Sequence, residues 1–169
     1  MKKSLKLNLR PICRDITDAG EKIGCFLKSH GLSDDSVQAQ INILTGLIRN
    51  GIKYARFRPS ADEIIVRIEI DEQQCTIEVL NPVDQTCSDQ LKMLDKTIQF
   101  IRGYQDPKEA YSIRMAEAAR QPDAEANDPD LVKIACEGGA ILDFFVGEDN
   151  FLNLSAVGSF NRGGAIQRS

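Results

Sequence analysis

The sequence has few of the features that mark nucleic-acid-binding or metal-binding proteins. It contains no basic run and no aromatic stacking platform, and its formal net charge is −4, so generic binding to nucleic acid is not favoured. Its five cysteines form no C-x-x-C pair, which argues against a zinc site or a disulfide framework. The only histidine, His30, stands beside Gly31 and is interpreted as a helix-end residue rather than a catalyst.

The sequence also has no pattern typical of a transmembrane segment or a secretory signal. No apolar segment approaches transmembrane length, and the initial "SLKLNLRP" alternates polar and apolar residues where a secretory signal needs a continuous apolar core. Together with the unpaired cysteines, this predicts a cytoplasmic protein that does not bind membranes. A chain of 169 residues with 42% hydrophobic residues is predicted to form a single domain over 1–160 with a flexible tail at 161–169.

Hydrophobic periodicity predicts the elements of the first half of the chain. Apolar residues alternate over 5–9 and again over 64–70, a period typical of half-buried strands. Between them, helical spacing over 16–27 and 37–52 predicts two helices, the second with Ser33 as its N-cap. The strand at 64–70 is expected to form an antiparallel hairpin with the segment "CTIEVL".

The second half continues with helices and ends in another hairpin. The expected elements are a helix over 91–101, a helix over 107–120, an exposed loop over 121–130, a short helix over 131–137 and strands on either side of a turn at 148–150. The predicted fold is therefore an α/β two-layer sandwich, with a mixed five-stranded sheet and helices on one face.

This order, with "INILTGLIRNGIKYA" leading into "EIIVRIEIDEQQCTIEVLNP", resembles the histidine-kinase-like ATPase (GHKL) superfamily. Within it, the chain is most similar to the small bacterial anti-sigma-factor kinases. "RNGIKYA" resembles the asparagine box of the family, and "LVKIACEGGAILDF" looks like its late helix, double glycine and strand. The similarity covers roughly residues 5–158.

The resemblance implies a nucleotide site with ATP and Mg²⁺ as cofactors. Asn50 matches the family asparagine whose side-chain oxygen binds the metal, a hard cation that prefers oxygen ligands. Lys53, three residues later on the same helical face, matches the residue that reaches a phosphate. Asn81 stands where the family has the aspartate that accepts from the adenine amino group.

Three departures from the family pattern weaken the expected chemistry. Gly46 occupies the position of the acidic residue that holds or activates a water, so the general base is missing. After Asn81, Pro82 and Val83 replace the glycines that let the backbone approach the base. A strand-terminating turn is the simpler interpretation of Asn81 and Pro82.

The third departure lies in the phosphate-binding lid. The corresponding segment, "ANDPDL", lacks the glycine-rich run and carries Asp128 and Asp130, which would repel a triphosphate.

Three functional hypotheses follow. The first is a bacterial signalling or regulatory module with lost or weakened ATP binding, acting through protein partners of the sigma-factor or anti-sigma-antagonist type, or through a second copy of itself. The second is an active Mg-ATP-dependent protein serine kinase of the anti-sigma-factor type. The third is a sensor for another small molecule. The segment "IQFIRGYQDPKEAY" offers aromatic residues and an arginine that suit either an interface or ordinary packing.

Overall fold

Strands and helices follow one another in the order that the sequence predicts. The structure, a computed structural model, describes residues 2–57, 63–120 and 130–163. Within these ranges the elements are β1 (Lys3–Leu9), α1 (Cys13–Ser29), α2 (Asp34–Tyr54), β2 (Ile64–Ile70), β3 (Gln74–Pro82), a 3₁₀ turn (Gln85–Cys87), α3 (Ser88–Arg102), α4 (Pro107–Arg120), α5 (Asp130–Gly138), β4 (Ile141–Val146) and β5 (Phe151–Ser159).

The strands form one five-stranded sheet in the order β1-β2-β3-β5-β4. Every pair in it is antiparallel, so the expectation of a mixed sheet was wrong. The physical reason lies in the connections. Leu9 at the end of β1 pairs with Ile64 at the start of β2, because α1 and α2 together return the chain to the end of the sheet that it left. The strand β5 enters beside β3 through the β4–β5 hairpin and runs against β3 as well.

The helices cover one face of this sheet, as predicted. Alternate residues of β2, such as Val66 and Ile68, are buried on that face, whereas Arg67 and Glu69 between them are exposed on the other. The register carries the apolar row across the sheet, since Val66 pairs with Val79 and Val79 with Leu154. A two-layer α/β sandwich with a one-sided helical layer is therefore confirmed.

The predicted starts of two helices are confirmed by their caps. Ser33 is the N-cap of α2, and its side chain accepts a hydrogen bond from the Ser36 backbone N–H. Asp34 and Asp35 in the first turn of α2 complement the positive end of the helix dipole. The Asp106 carboxylate accepts from the Lys108 N–H at the start of α4.

The junction between α3 and α4 is packed within the molecule. The guanidinium of Arg114 lies over the Phe100 ring at 4.2 Å, and Tyr104 meets the same ring edge-on. Arg102 donates to the Leu142 carbonyl and forms an ion pair with Asp143. These contacts favour the packing interpretation of this segment.

Residues 161–163, expected in the flexible tail, are tied to the domain. Arg162 donates to the backbone carbonyls of His30, Asp71 and Glu72, and so joins the α1–α2 turn to the β2–β3 turn. The Gly163 N–H donates to the Gly31 carbonyl. The rest of the predicted tail, 164–169, lies outside the described residues.

Candidate functional site

The helix α2 carries the segment that resembles the asparagine box and lies at the centre of the helical layer. It contacts α1, α5, β3 and β5. Its glycines at 46 and 51 permit two of these contacts, because each faces a side chain that a Cβ atom would displace. The candidate site therefore depends on what packs against α2.

Gly46, the position of the missing acid, faces α5. A Cβ built there would lie 2.7 Å from Cγ1 of Ile134 and would also clash with Cδ1 of that residue. Ile134 is buried, and its side chain occupies the space that a side chain at position 46 would need. The position at which the resemblance implies a general base therefore makes an apolar contact between two helices.

Asn50 is enclosed by the protein. Its side chain is only 1% exposed, and its Nδ2 donates a hydrogen bond of 3.1 Å to the Gly46 carbonyl one turn earlier. This bond fixes the amide along the helix, a local arrangement that polar side chains in helices often adopt. In this arrangement Asn50 does not line the surface.

Lys53 differs from Asn50 in its exposure. It lies in the last turn of α2, where a cation is favoured by the helix dipole, and it is exposed to solvent. The predicted pair is thus split between a buried amide and a surface cation.

Asn81 lies in β3 and points into the helical layer. It pairs with Leu152 of β5, and Pro82 pairs with Phe151, so both residues still belong to the strand, which ends at Pro82. Asn81 is 0% exposed, and neither Nδ2 nor Oδ1 has a hydrogen-bond partner within the part of the chain that the structure describes.

The Asn81 amide packs on the backbone of α2 at Gly51. A Cβ at Gly51 would lie 3.0 Å from Cγ of Asn81 and would clash with Nδ2. The structure therefore brings Asn81 against the helical turn that carries Asn50. The sequence analysis missed Gly51, although a glycine inside a helix is itself a signal of close approach.

The segment after β3 differs from a glycine-rich turn. Val83 is buried, and its N–H donates to the Asn150 carbonyl. The Asp84 carboxylate accepts from the hydroxyl and then from the backbone N–H of Thr86, and these hydrogen bonds, the hydroxyl's above all, hold the pKa of Asp84 below its ordinary value. The turn is closed by its own side chains.

A cavity of about 350 Å³ lies between α2 and α5. It is lined on α2 by Ala39, Asn42, Ile43, Thr45, Gly46 and Arg49, and on α5 by Lys133, Ile134, Glu137 and Gly138. Asn50, Lys53 and Asn81 are not among its lining residues. Of the predicted lid, Asp130 begins α5, whereas Asp128 lies outside the described residues.

Two features are absent from the described residues. No group of three or more His, Cys, Asp or Glu side chains there is arranged to hold a metal ion. None of the described helices is long and apolar enough to cross a membrane.

Fold and site together define a two-layer α/β sandwich whose central helix buries an asparagine. A chain in the crystal structure of the SiaB-SiaC complex from Pseudomonas aeruginosa is similar in fold, with a TM-score of 0.70 and 20% sequence identity. The match covers 90% of this chain and 88% of that chain. No protein-family model and no curated protein sequence matches this chain.

Proposed function

We propose that this protein is a bacterial regulatory module of the histidine-kinase-like ATPase fold that acts by binding protein partners and has lost or weakened ATP binding. The observation that carries the proposal is the enclosure of the two asparagines. Asn50 and Asn81 are 1% and 0% exposed, so a ligand reaches neither of them unless α2 and β3 separate. Such a separation would expose apolar core and cost free energy.

The position of Gly46 supports the same proposal. A kinase of this kind needs a carboxylate there to take a proton from the attacking hydroxyl, and the space beside Gly46 is filled by Ile134. With the base missing and the asparagines enclosed, surface recognition is the activity that the molecule retains.

A likeness in fold and an exposed apolar strand support a protein as the partner. The similar chain comes from a complex of two proteins, SiaB and SiaC. In this chain the edge strand β4 exposes Ile141 (68%), Phe145 (59%) and Val146 (43%). Ile141 and Phe145 share one face of the strand, and exposed apolar patches mark interaction sites in many proteins. A partner of the sigma-factor or anti-sigma-antagonist type, or a second copy of the chain, would cover them.

A second candidate is the Mg-ATP-dependent protein serine kinase, and the buried Asn81 amide favours it. Leaving a buried polar group without a partner costs about 1–3 kcal/mol. An adenine amino group would relieve part of that cost once α2 and β3 had opened. Asn50 would then hold Mg²⁺ and Lys53 a phosphate, and the bound metal would neutralise charge on the phosphates.

Nucleotide binding separates the two candidates. Purified protein is melted with millimolar ATP, ADP or GTP, with and without Mg²⁺, and the same nucleotides are titrated by calorimetry. A ligand at 100 times its dissociation constant stabilises by about 2.7 kcal/mol. For a chain of this size that corresponds to a shift of roughly 5–10 °C. We expect no shift. A saturable shift that is lost in Asn50→Ala and weakened in Lys53→Ala would favour the kinase. The melting temperature of each variant without ligand is the control for folding.

Partner binding is tested on the surface of β4. A protein that co-purifies with this chain is made separately, and the complex is reassembled and measured by light scattering. Phe145→Ser is compared with Met115→Ser, which alters an exposed residue of α4. We expect Phe145→Ser to weaken the complex at least about tenfold and Met115→Ser to leave it unchanged. If this chain forms no complex with any separately made co-purifying protein, the proposed function is wrong.

A further inference from the structure

We propose that Arg102 of α3 and Asp143 of β4 close the outer edge of β4, so that a strand of a second copy of this chain does not add to the sheet there. The strand order places β4 at one end of the sheet, beside β5. An edge strand presents a row of unpaired backbone groups, which is a template for pairing with another chain. The inference does not depend on the proposed function, because it concerns the backbone of β4 and not the exposed side chains on its face.

The hairpin shows which residues of β4 face the outer edge. Just beyond the strand, the Gly147 N–H donates to the Phe151 carbonyl at 3.0 Å, which makes these two residues a hydrogen-bonded pair. Such pairs alternate along an antiparallel ladder, so every second residue turns its N–H and C=O towards the neighbouring strand and the residues between turn theirs away. The residues of β4 whose backbone groups face away from β5 are therefore Leu142, Phe144 and Val146.

Two of these outward groups are occupied by one continuous chain of contacts. Nη2 of Arg102 donates to the Leu142 carbonyl at 3.1 Å and lies 3.2 Å from Oδ1 of Asp143. The same Oδ1 accepts from the Phe144 N–H at 2.8 Å. Because an antiparallel partner needs both the N–H and the C=O of each outward residue, an added strand would have to displace both side chains.

The composition of β4 shows why its edge needs to be closed. Its sequence, ILDFFV, is rich in β-branched and aromatic residues and has no proline, a combination typical of segments that pair with other chains. Asp143 is its one charged residue, and the Asp143 carboxylate is the group that covers the Phe144 N–H. The opposite edge strand, β1, carries Lys3 and Lys6 among its exposed residues, and lysines on an edge discourage association by themselves.

The stability of the fold does not explain the contacts between Arg102 and β4. The side chains of Arg102 and Asp143 are 44% and 64% exposed, and exposed ion pairs contribute little to stability. Arg102 lies in the last turn of α3, where the helix dipole favours a cation whatever the direction of its side chain. The dipole does not require the guanidinium to reach the Leu142 carbonyl, and this is the contact that closes the edge.

The test compares the self-association of variants of the full chain by sedimentation velocity over a range of protein concentrations. The edge variant, Arg102→Ala combined with Asp143→Ala, opens the edge without changing the net charge. The matched control, Lys28→Ala combined with Asp34→Ala, removes an exposed ion pair between α1 and α2, also without changing the net charge. The conservative variant, Arg102→Lys combined with Asp143→Asn, keeps a donor and an acceptor at the same positions. Thermal melts check that each variant folds, and each single alanine substitution is measured as well.

We expect the edge variant to associate at least about tenfold more strongly than the wild type, and the matched control and the conservative variant to stay within about twofold of it. Each single alanine substitution should give part of the effect. Adding Val146→Pro to the edge variant should reverse the association, because proline removes an outward N–H and is tolerated on edge strands.

Amide hydrogen exchange is the second measurement. In the edge variant, exchange over residues 141–146 should slow as the protein concentration rises, because pairing with a second copy protects the outward N–H groups. The inference is wrong if the edge variant associates no more strongly than the wild type, or if the matched control associates as strongly as the edge variant. It is also wrong if association leaves the exchange of β4 unchanged.

Discussion

Replacing Asn81 by Leu is expected to stabilise the protein. Both polar atoms of Asn81 are buried without a partner in the described chain, and each such atom costs about 1–3 kcal/mol. Leucine branches at the same carbon and places methyl groups where the amide stands, so the change in shape is expected to cost less than about 1.5 kcal/mol. The net gain is about 1–3 kcal/mol, with a rise in melting temperature of about 2–4 °C for each kcal/mol.

The measurement is urea unfolding followed by far-UV circular dichroism, since the sequence has no tryptophan to report by fluorescence. Asn153→Leu is the matched control in the neighbouring strand β5. Asn153 is also buried, but its Nδ2 donates to Glu78 at 3.4 Å, so among the described residues only its Oδ1 lacks a partner. We expect Asn153→Leu to be neutral or destabilising, because it removes a hydrogen bond as well as an unsatisfied atom.

Asn81→Asp introduces the residue that the family resemblance implies at this position, and it is a second test of whether the site is closed to water. A carboxylate buried against Gly51 would lack a compensating charge, and we expect a loss of about 3 kcal/mol or more at neutral pH. Destabilisation by Asn81→Leu of more than about 1 kcal/mol would refute the reasoning, because it would show that the amide has partners in solution. Tolerance of Asn81→Asp would show that the position is open to water.

Three further predictions concern packing, acid stability and the C-terminal anchor. Gly46→Ala is expected to lower the free energy of unfolding by up to about 2 kcal/mol, because overpacking against Ile134 outweighs the better helix propensity of alanine. In a double-mutant cycle, Ile134→Ala should relieve this cost. The backbone N–H groups of Gln73 and Gln74 donate to Asp71 and hold its pKa below 3.8. The resulting contribution to stability is present above pH 3.8 and is lost as the pH falls through the pKa of the folded state. Asp71→Ala should therefore reduce the loss of stability measured between neutral and acid pH. Arg162→Ala should cost about 1 kcal/mol in urea unfolding, and Arg162→Lys should recover only part of it, because lysine cannot span the same carbonyls.

Periodicity was enough to predict the elements and the one-sided helical layer. The alternation in β2 placed Val66 and Ile68 on one face and Arg67 on the other, and the register confirms that division. Strand direction was not predictable in the same way. It depends on where two helices deliver the chain, and a one-dimensional pattern does not contain that information.

The site was only partly predictable for a related reason. The spacing of Asn50 and Lys53 places them on the same side of α2, but burial depends on which neighbours pack there. The contact of Gly51 with Asn81 joins positions thirty residues apart in sequence. That contact depends on how β3 packs against α2, which the local sequence pattern of neither element specifies. Whether these residues bind nucleotide stays a prediction.

The packing at the glycines of α2 explains why an acidic side chain would not fit at position 46. Each glycine inside a helix costs about 1 kcal/mol relative to alanine, and the contacts that Gly46 and Gly51 permit offset this cost. An acid introduced at position 46 would displace Ile134, and the displaced side chain would disturb the cavity between α2 and α5. The absence of a side chain at position 46 and the close approach of α5 are therefore two sides of the same contact with Ile134. A carboxylate at position 46 and the side chain of Ile134 would need the same space.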